Sequence, residues 1–284
     1  MWTDTTRAQH ARADLTLPSD LTDAEWAVLE PFFPPPSSVG RPRKWLLRRI
    51  VEHRRIVEAI LCLLRGGLPW RMLPPCFPPV STVWRWFHLW RDNGLWLSLN
   101  HPLLLIGREA EGREASPSAG VIDSQSVKTL ESGGSRGYGA GKKIKGRKRN
   151  ILTDTDGNLV HAAIHTADIQ DRDGAPLVLA EIVRRFPWLR HVFADGGYAG
   201  EKLRDALRRT GKWTLEIVKR LDTAKGFVVL PRRWVVERTL TWLNRNRRLA
   251  KDFEQTISSA TAWHFIASIQ LFTRRIAKLS NHAG

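Results

Sequence analysis

Three acidic residues stand where a carboxylate could do chemistry. Asp123 closes the small-to-apolar run Ala119-Gly120-Val121-Ile122. Asp195 closes His191-Val192-Phe193-Ala194 and is followed by Gly196-Gly197. Both runs read as buried strands, and α/β sheets place ligands at the carboxyl ends of their strands. Small or polar residues after each acid leave room for a ligand. On adjacent strands the two carboxylates would lie within a few ångströms and repel, so they need a cation between them. Hard oxygen donors on an open site suit Mg²⁺ or Mn²⁺, held through a few carboxylates and substrate phosphates. Glu237 is the candidate third carboxylate. It is the lone acid in Pro231–Thr239, near the start of a helix, where a carboxylate would also complement the helix dipole.

The charge balance names the partner class. Lys and Arg total 45 against 28 Asp and Glu, a net +17 with a sequence pI near 10.8. Residues 119–284 hold 30 basic and 16 acidic side chains, a net of +14, against +3 for residues 1–118. Seven basic residues and no acid lie between Arg136 and Asn150, and eight with the single acid Glu237 between Lys225 and Lys251. Such runs also occur as solvated faces, but two of them framing isolated carboxylates point to a polyanion. Cations that neutralise phosphates release counterions, the general source of DNA affinity. The two cysteines, Cys62 and Cys76, form no C-x-x-C pair, which argues against a zinc ribbon or a disulfide framework. No apolar run approaches a membrane span and the start has no signal-like apolar core, so the expected location is cytoplasmic.

The elements that must position these residues follow from the patterning. Residues 1–20 read as a disordered lead. Thr22 and Glu25 form a capping box for a short helix. Trp45 to Arg65 reads as a long helix stopped by Gly66-Gly67, and a second helix is expected from an N-cap at Ser81, with a Val83, Phe87, Trp90, Leu95 stripe. Helix, glycine turn, helix outlines a helix-turn-helix. The tryptophans crowded there belong mostly to the core, with Arg85 and Arg91 candidates to face DNA. Residues 21–106 thus form a helical DNA-binding region and 107–118 a linker. Residues 119–284 alternate strands and helices, with a hairpin turn at Asp154–Asn158, which implies an α/β fold with mixed strand directions. His161, His165 and Asp168 lack the helical H-E-x-x-H pattern and read as structural, with Asp168, Asp171 and Asp173 capping the helix beyond. Ser124 lacks a G-x-S-x-G setting and is no hydrolase nucleophile.

The chain resembles the IS5 group of insertion-sequence transposases, within the DDE transposases. The matching pieces are Gly40-Arg41-Pro42-Arg43-Lys44, Leu68-Pro69-Trp70-Arg71-Met72-Leu73-Pro74, Ile122-Asp123-Ser124-Gln125-Ser126-Val127-Lys128, Gly141 to Lys148, Ala194-Asp195-Gly196-Gly197-Tyr198, and the Glu237 helix through Leu249. The likeness covers about residues 21 to 275. It implies an RNase H-like mixed sheet flanked by helices, with a helical N-terminal DNA-binding region. It carries the DDE triad onto Asp123, Asp195 and Glu237. Of the signature around the glutamate, Arg233 and Glu237 match, while Leu230 and Asn244 stand at its Tyr and Lys positions.

The resemblance also implies the chemistry. Two Mg²⁺ ions would activate water or a DNA 3′-hydroxyl, with Asp123 bridging both and Asp195 and Glu237 holding one each. The substrates would be the element's terminal inverted repeats and target DNA, and synapsis of two ends implies a homo-oligomer. Lys128, Lys142, Lys143, Lys145, Arg147, Lys148, Arg149, Arg233, Arg245 and Arg248 are the expected phosphate contacts. The rival readings are a non-catalytic DNA-binding protein derived from a transposase and a plain Mg²⁺-dependent nuclease.

Overall fold

Strand β1, Ala119–Lys128, is the axis of the sheet. On one edge it pairs antiparallel with β3, Ile144–Asp154, from Gly120↔Asp154 to Lys128↔Gly146. On the other it pairs parallel with β5, His191–Ala194, but only through Ala119↔His191, Gly120↔Val192 and Val121↔Phe193. β6, Thr214–Ile217, extends the parallel side. The far edge of β3 takes two partners end to end: β4, Leu159–Thr166, and the short β2, Gly137–Gly139. The result is one six-stranded mixed sheet. This computed structural model describes residues 17–33, 49–130, 134–210, 213–218 and 231–280, without the side chains of 49–52, 202, 206, 210 and 231–233. Residues 1–16 of the expected lead, the Gly40–Lys44 motif and Leu230 lie outside the described residues, while residues 17–20 of that lead form a turn with Ser19 and Asp20 buried.

The helices follow in order: α1 Asp23–Leu29, α2 Arg49–Gly66, α3 Val80–Asp92, α4 Leu95–Ala110, α5 Asp171–Ile182, α6 Glu201–Thr210, α7 Pro231–Asn244 and α8 Ile257–Ser280. The capping box of α1 forms as its sequence predicts: Glu25 N–H donates to Thr22 Oγ1, and Thr22 N–H to Glu25. The helix expected from Ser81 begins one residue earlier, at Val80 after Pro79, and stops before Leu95. Gly94, at φ +73°, adopts a left-handed turn that glycine accommodates freely, and α4 begins beyond it. That helix runs to Ala110, into the stretch read as linker, because Leu99, Leu103 and Leu104 bury one face.

α8 joins the two halves. α1, α2, α3 and α4 all pack against it, and so does β4. Phe87 of α3 stacks on Trp263 of α8 at 4.6 Å between ring centres, and Trp70 approaches the same indole. Trp26, Trp90 and Trp96 are buried, as expected for a helical core; Trp84 stays about half exposed. α4 is also tied to the sheet: Asn100 Nδ2 donates to Leu159 O, and Arg108 pairs with the buried Asp154 at the β3–β4 turn. The apolar core is therefore continuous across the expected boundary at 107–118.

Candidate active site

Asp195 follows the last residue of β5, as expected. Its Oδ1 accepts from Gly197 N–H at 2.8 Å, which caps the short 3-10 turn Gly196–Tyr198. Asp123 differs from expectation. It lies in the middle of a ten-residue strand, because β3 supports β1 as far as Lys128. Only on the β5 side does the pairing stop short of it. The register nevertheless brings the two acids together. Val121 pairs with Phe193, and two residues further along each strand stand Asp123 and Asp195. Neighbouring strands lie about 4.8 Å apart, and residues two apart share a face. Asp123 Oδ1 accepts from Ser124 N–H at 2.7 Å.

Strand alternation then sorts the neighbours. Ser124 and its cross-strand partner Asn150 face α5: Ser124 Oγ donates to Asp171 Oδ1 at 2.6 Å, and Asn150 lies against Gly174. Gln125 and Arg149 face α7, where Asn244 Nδ2 donates to Gln125 Oε1 and Arg149 donates to Asn244 Oδ1. Asp123, two residues before Gln125, shares that α7 face. Glu237 is exposed and lies two helical turns before Asn244, on the same face of α7. The structure thus brings Asp123 and Asp195 into register and lays the Glu237 helix against β1, β3 and β5. Among the described residues no three His, Cys, Asp or Glu side chains stand close enough to share one metal ion.

Asp171 is the neighbour that the sequence reading passed over as a helix cap. It opens α5, with Gln170 as the N-cap. Its Oδ1 accepts from Ser124 Oγ and from Lys148 Nζ at 2.9 Å. Burial pushes its carboxyl up, but these two donors and the lysine charge outweigh it, and the carboxyl sits below its ordinary value. A methyl placed on Gly197 would lie 3.0 Å from Asp195 Oδ1 and 3.5 Å from Asp171 Oδ2. The two carboxylates therefore flank one small space that glycine keeps open. Tyr198 lies beneath, its hydroxyl donating to Asn150 Oδ1 at 3.2 Å. Burial and then the charges of Asp123, Asp171 and Asp195 raise its pKa well above the ordinary value. The T-A-D-I-Q-D spacing after β4 carries no motif that would have marked Asp171.

The expected phosphate contacts divide. Lys128, Lys142, Lys143, Lys145 and Arg245 are exposed. The side chain of Arg233 lies outside the described residues. Four are corrections. Arg147 is fully buried: it pairs with Asp252 at 3.1 Å and donates to the carbonyls of Ser135, Glu254 and Gln255. Arg149 is buried with its guanidinium on Leu249 O, and burial lowers its pKa to about 10. Lys148 is committed to Asp171 and Ile169 O. Arg248 pairs with Glu254 and lies 4.5 Å over the Trp263 ring. Central strands are covered on both faces, so cations on them turn to internal acceptors instead of solvent. Arg91, a candidate to face DNA, is paired to Asp92 and Ser259, whereas Arg85 is exposed. His161 and His165 are both buried, His161 near Phe265 and His165 against Asn150, and among the described residues neither has two further metal-ligating side chains close enough to share an ion.

The chemistry of Asp123 and Asp195 suits a divalent cation: each offers hard carboxylate oxygens oriented by a backbone N–H, and beside Asp195 lies a space without a side chain. Comparison with known proteins identifies the family. The family described as "Transposase DDE domain" matches residues 114–272, and "Putative transposase of IS4/5 family" matches residues 21–100. A relative from Burkholderia cepacia, named "Insertion element IS402 uncharacterized 16.2 kDa protein", is 35% identical over 127 residues, 44% of this chain and 78% of that one. A second from the same organism, "Putative transposase for insertion sequence element IS402", is 36% identical over 117 residues, 39% of this chain and 54% of its own length. No solved structure matches the chain. No described helix is long and apolar enough to cross a membrane.

Proposed function

The chain belongs to the DDE-domain transposases, and on that premise we propose that it binds the terminal inverted repeats of an insertion sequence, cuts the element's ends and joins the freed 3′-hydroxyl to target DNA. The observation that supports this reading is the register of β1 and β5, in which Asp123 and Asp195 each stand two residues past the pair Val121↔Phe193, with the Glu237 helix packed against both strands. The order β3-β1-β5-β6, with β4 beyond β3 and an antiparallel-to-parallel switch at β1, supports an RNase H-like reading of residues 119–284. Helices α1 to α4 would form the DNA-binding region, acting as one body with the catalytic domain through α8.

Asp123, Asp195 and Glu237 would hold the divalent cations, Mg²⁺ or Mn²⁺ and two in number. Once bound, these supply a Lewis acid for the phosphodiester and lower the pKa of an attacking water or hydroxyl. The chain's own residues do the rest. Ser124 and Gly197 N–H groups fix the carboxylates in place. Lys148 and Ser124 hold Asp171 as a further anion beside Asp195. The exposed Lys128, Lys142, Lys143, Lys145 and Arg245, together with Arg233, would take the DNA phosphates. No protein nucleophile is required. Synapsis of two element ends would require at least a dimer, and the work would be done in the cytoplasm on nucleoid DNA.

A cleavage assay on DNA carrying the terminal repeats, with added Mg²⁺, tests this. Nicks at the repeat ends and strand-transfer products are expected, the latter separating a transposase from a nuclease. Glu237→Gln should bind that DNA as the parent does and fail to cut it. Cleavage by the variant at the parent's rate would remove Glu237 from the assignment.

A further inference from the structure

We propose that Tyr138 is a base-stacking residue for unpaired DNA, a subsite that rests on the transposase reading and extends it. Tyr138 lies at the centre of β2, and its side chain is 57% exposed. Its setting names the occupant. Its cross-strand partner is the exposed Lys145, and residues directly opposite share a face. Arg136, Lys142 and Lys143 are exposed in the same hairpin, and no acid occurs between Arg136 and Asn150. A phosphate chain is the complement of those cations, and a base attached to it is the complement of the ring. Aromatic faces stack on any base, which is how sequence-tolerant single-strand sites are built.

The hairpin is held firmly enough to present the ring. Gly137 packs so closely on Asp168 that any side chain there would collide with its carboxylate and backbone. Gly139 likewise lies against Ala167 O. With glycine on both sides, no neighbouring side chain on β2 shields the ring. Lys143 adopts φ +51°, a left-handed conformation that costs a non-glycine residue energy and turns the chain tightly at the tip. The hairpin continues β3 past the last residue of β1, where Lys128 pairs with Gly146. Lys145 lies six residues along β3 from Ile151, the partner of Asp123. At about 3.3 Å per residue that is about 20 Å, roughly the rise of six nucleotides along B-form DNA from the reacting phosphate.

The test uses the full chain and a duplex with a single-stranded tail of about ten nucleotides carrying 2-aminopurine, whose fluorescence falls on stacking. The parent and Tyr138→Phe should quench the probe. Tyr138→Ala should lose the quench and bind the tailed duplex about five-fold to a hundred-fold more weakly, with affinity for the blunt duplex unchanged. Equal loss on tailed and blunt DNA, or no loss on either, overturns the stacking role. Mg²⁺-dependent cleavage by the parent is scored in parallel. If the parent cuts and Tyr138→Ala matches it in quench and affinity, the stacking role falls and the transposase reading stands. A parent that neither binds nor cuts removes both.

Discussion

Replacing Arg147 with Ala separates a buried strut from a phosphate contact, the two roles open to a cation in a basic run. The guanidinium has no exposure and meets one carboxylate, Asp252, and three backbone carbonyls within 3.1 Å. Those carbonyls belong to segments before β2 and between Arg248 and α8, so the side chain pins two irregular stretches to the sheet. Removing one partner of a buried ion pair costs about 3–5 kcal/mol, because Asp252 stays buried without the cation bonded to it. The orphaned carbonyls add to this. At about 2–4 °C per kcal/mol for a large domain, the melting temperature should fall by about 6–20 °C. Circular dichroism melts measure that directly. DNA binding, measured well below the melt at several salt concentrations, should keep the parent's slope of log affinity on log salt. Lys145→Ala should do the reverse: an unchanged melt and a slope shallower by about one. An Arg147→Ala protein that melts within about 2 °C of the parent and loses one unit of slope would refute the burial argument.

Other outcomes follow from the same geometry. Gly197→Val should fill the space between Asp195 and Asp171, cut Mg²⁺-dependent cleavage at least about ten-fold and leave the melt unchanged; cleavage at the parental rate would show that this space is not used. Asn244→Lys restores the family's usual residue but sets a second cation beside the buried Arg149 and removes the donor to Gln125. It should cost about 1–3 kcal/mol in denaturant unfolding. Acid should weaken the fold through two buried imidazoles. Burial lowers His161 to about 4, and burial with the Arg149 charge lowers His264 to about 3. Unfolded histidine takes its proton near 6.5, so both rings are neutral in either state above that pH and contribute no slope there. Below 6.5 the unfolded chain binds protons that the folded chain refuses. Stability should fall by ~1 kcal/mol per unit for each ring, down to about 4 for His161 and about 3 for His264. Urea melts between pH 7 and 5 read the combined slope, and His264→Gln should make it shallower.

The strands that carry Asp123 and precede Asp195 were legible because each contains a short apolar run, and such a run has few ways to be buried other than as a strand; that β1 continues past Asp123 was not. The capping box at Thr22 was legible for a similar reason: the signal is local and complete. What failed was non-local. The run from Lys142 to Arg149 gives the same composition whether its strand projects into solvent or lies inside the sheet. Only pairing with β1 and β4 decides, and it puts Arg147 and Arg149 against the backbone of residues 247–256. The direct continuation of that run into the apolar Ile151 and Leu152 was the available hint. α4 was missed because Asn100, His101, Pro102 and Gly107 interrupt its pattern. Asn100 is there to bond Leu159 O across to the sheet, and Gly107 is there for close packing by Phe272 and Arg275 of α8. Asp171 looked like any acid in a first turn. Its distinguishing partners, Ser124 and Lys148, come from two strands far away in sequence.

On the proposed function, Asp123 and Asp195 together hold a divalent ion against DNA. Anomalous scattering from crystals grown with Mn²⁺ and terminal-repeat DNA measures this most directly. A manganese peak is expected about 2.1 Å from an oxygen of each carboxylate, with a DNA phosphate oxygen completing the contact. Full manganese occupancy at another site, with neither aspartate within reach of the metal, would contradict it.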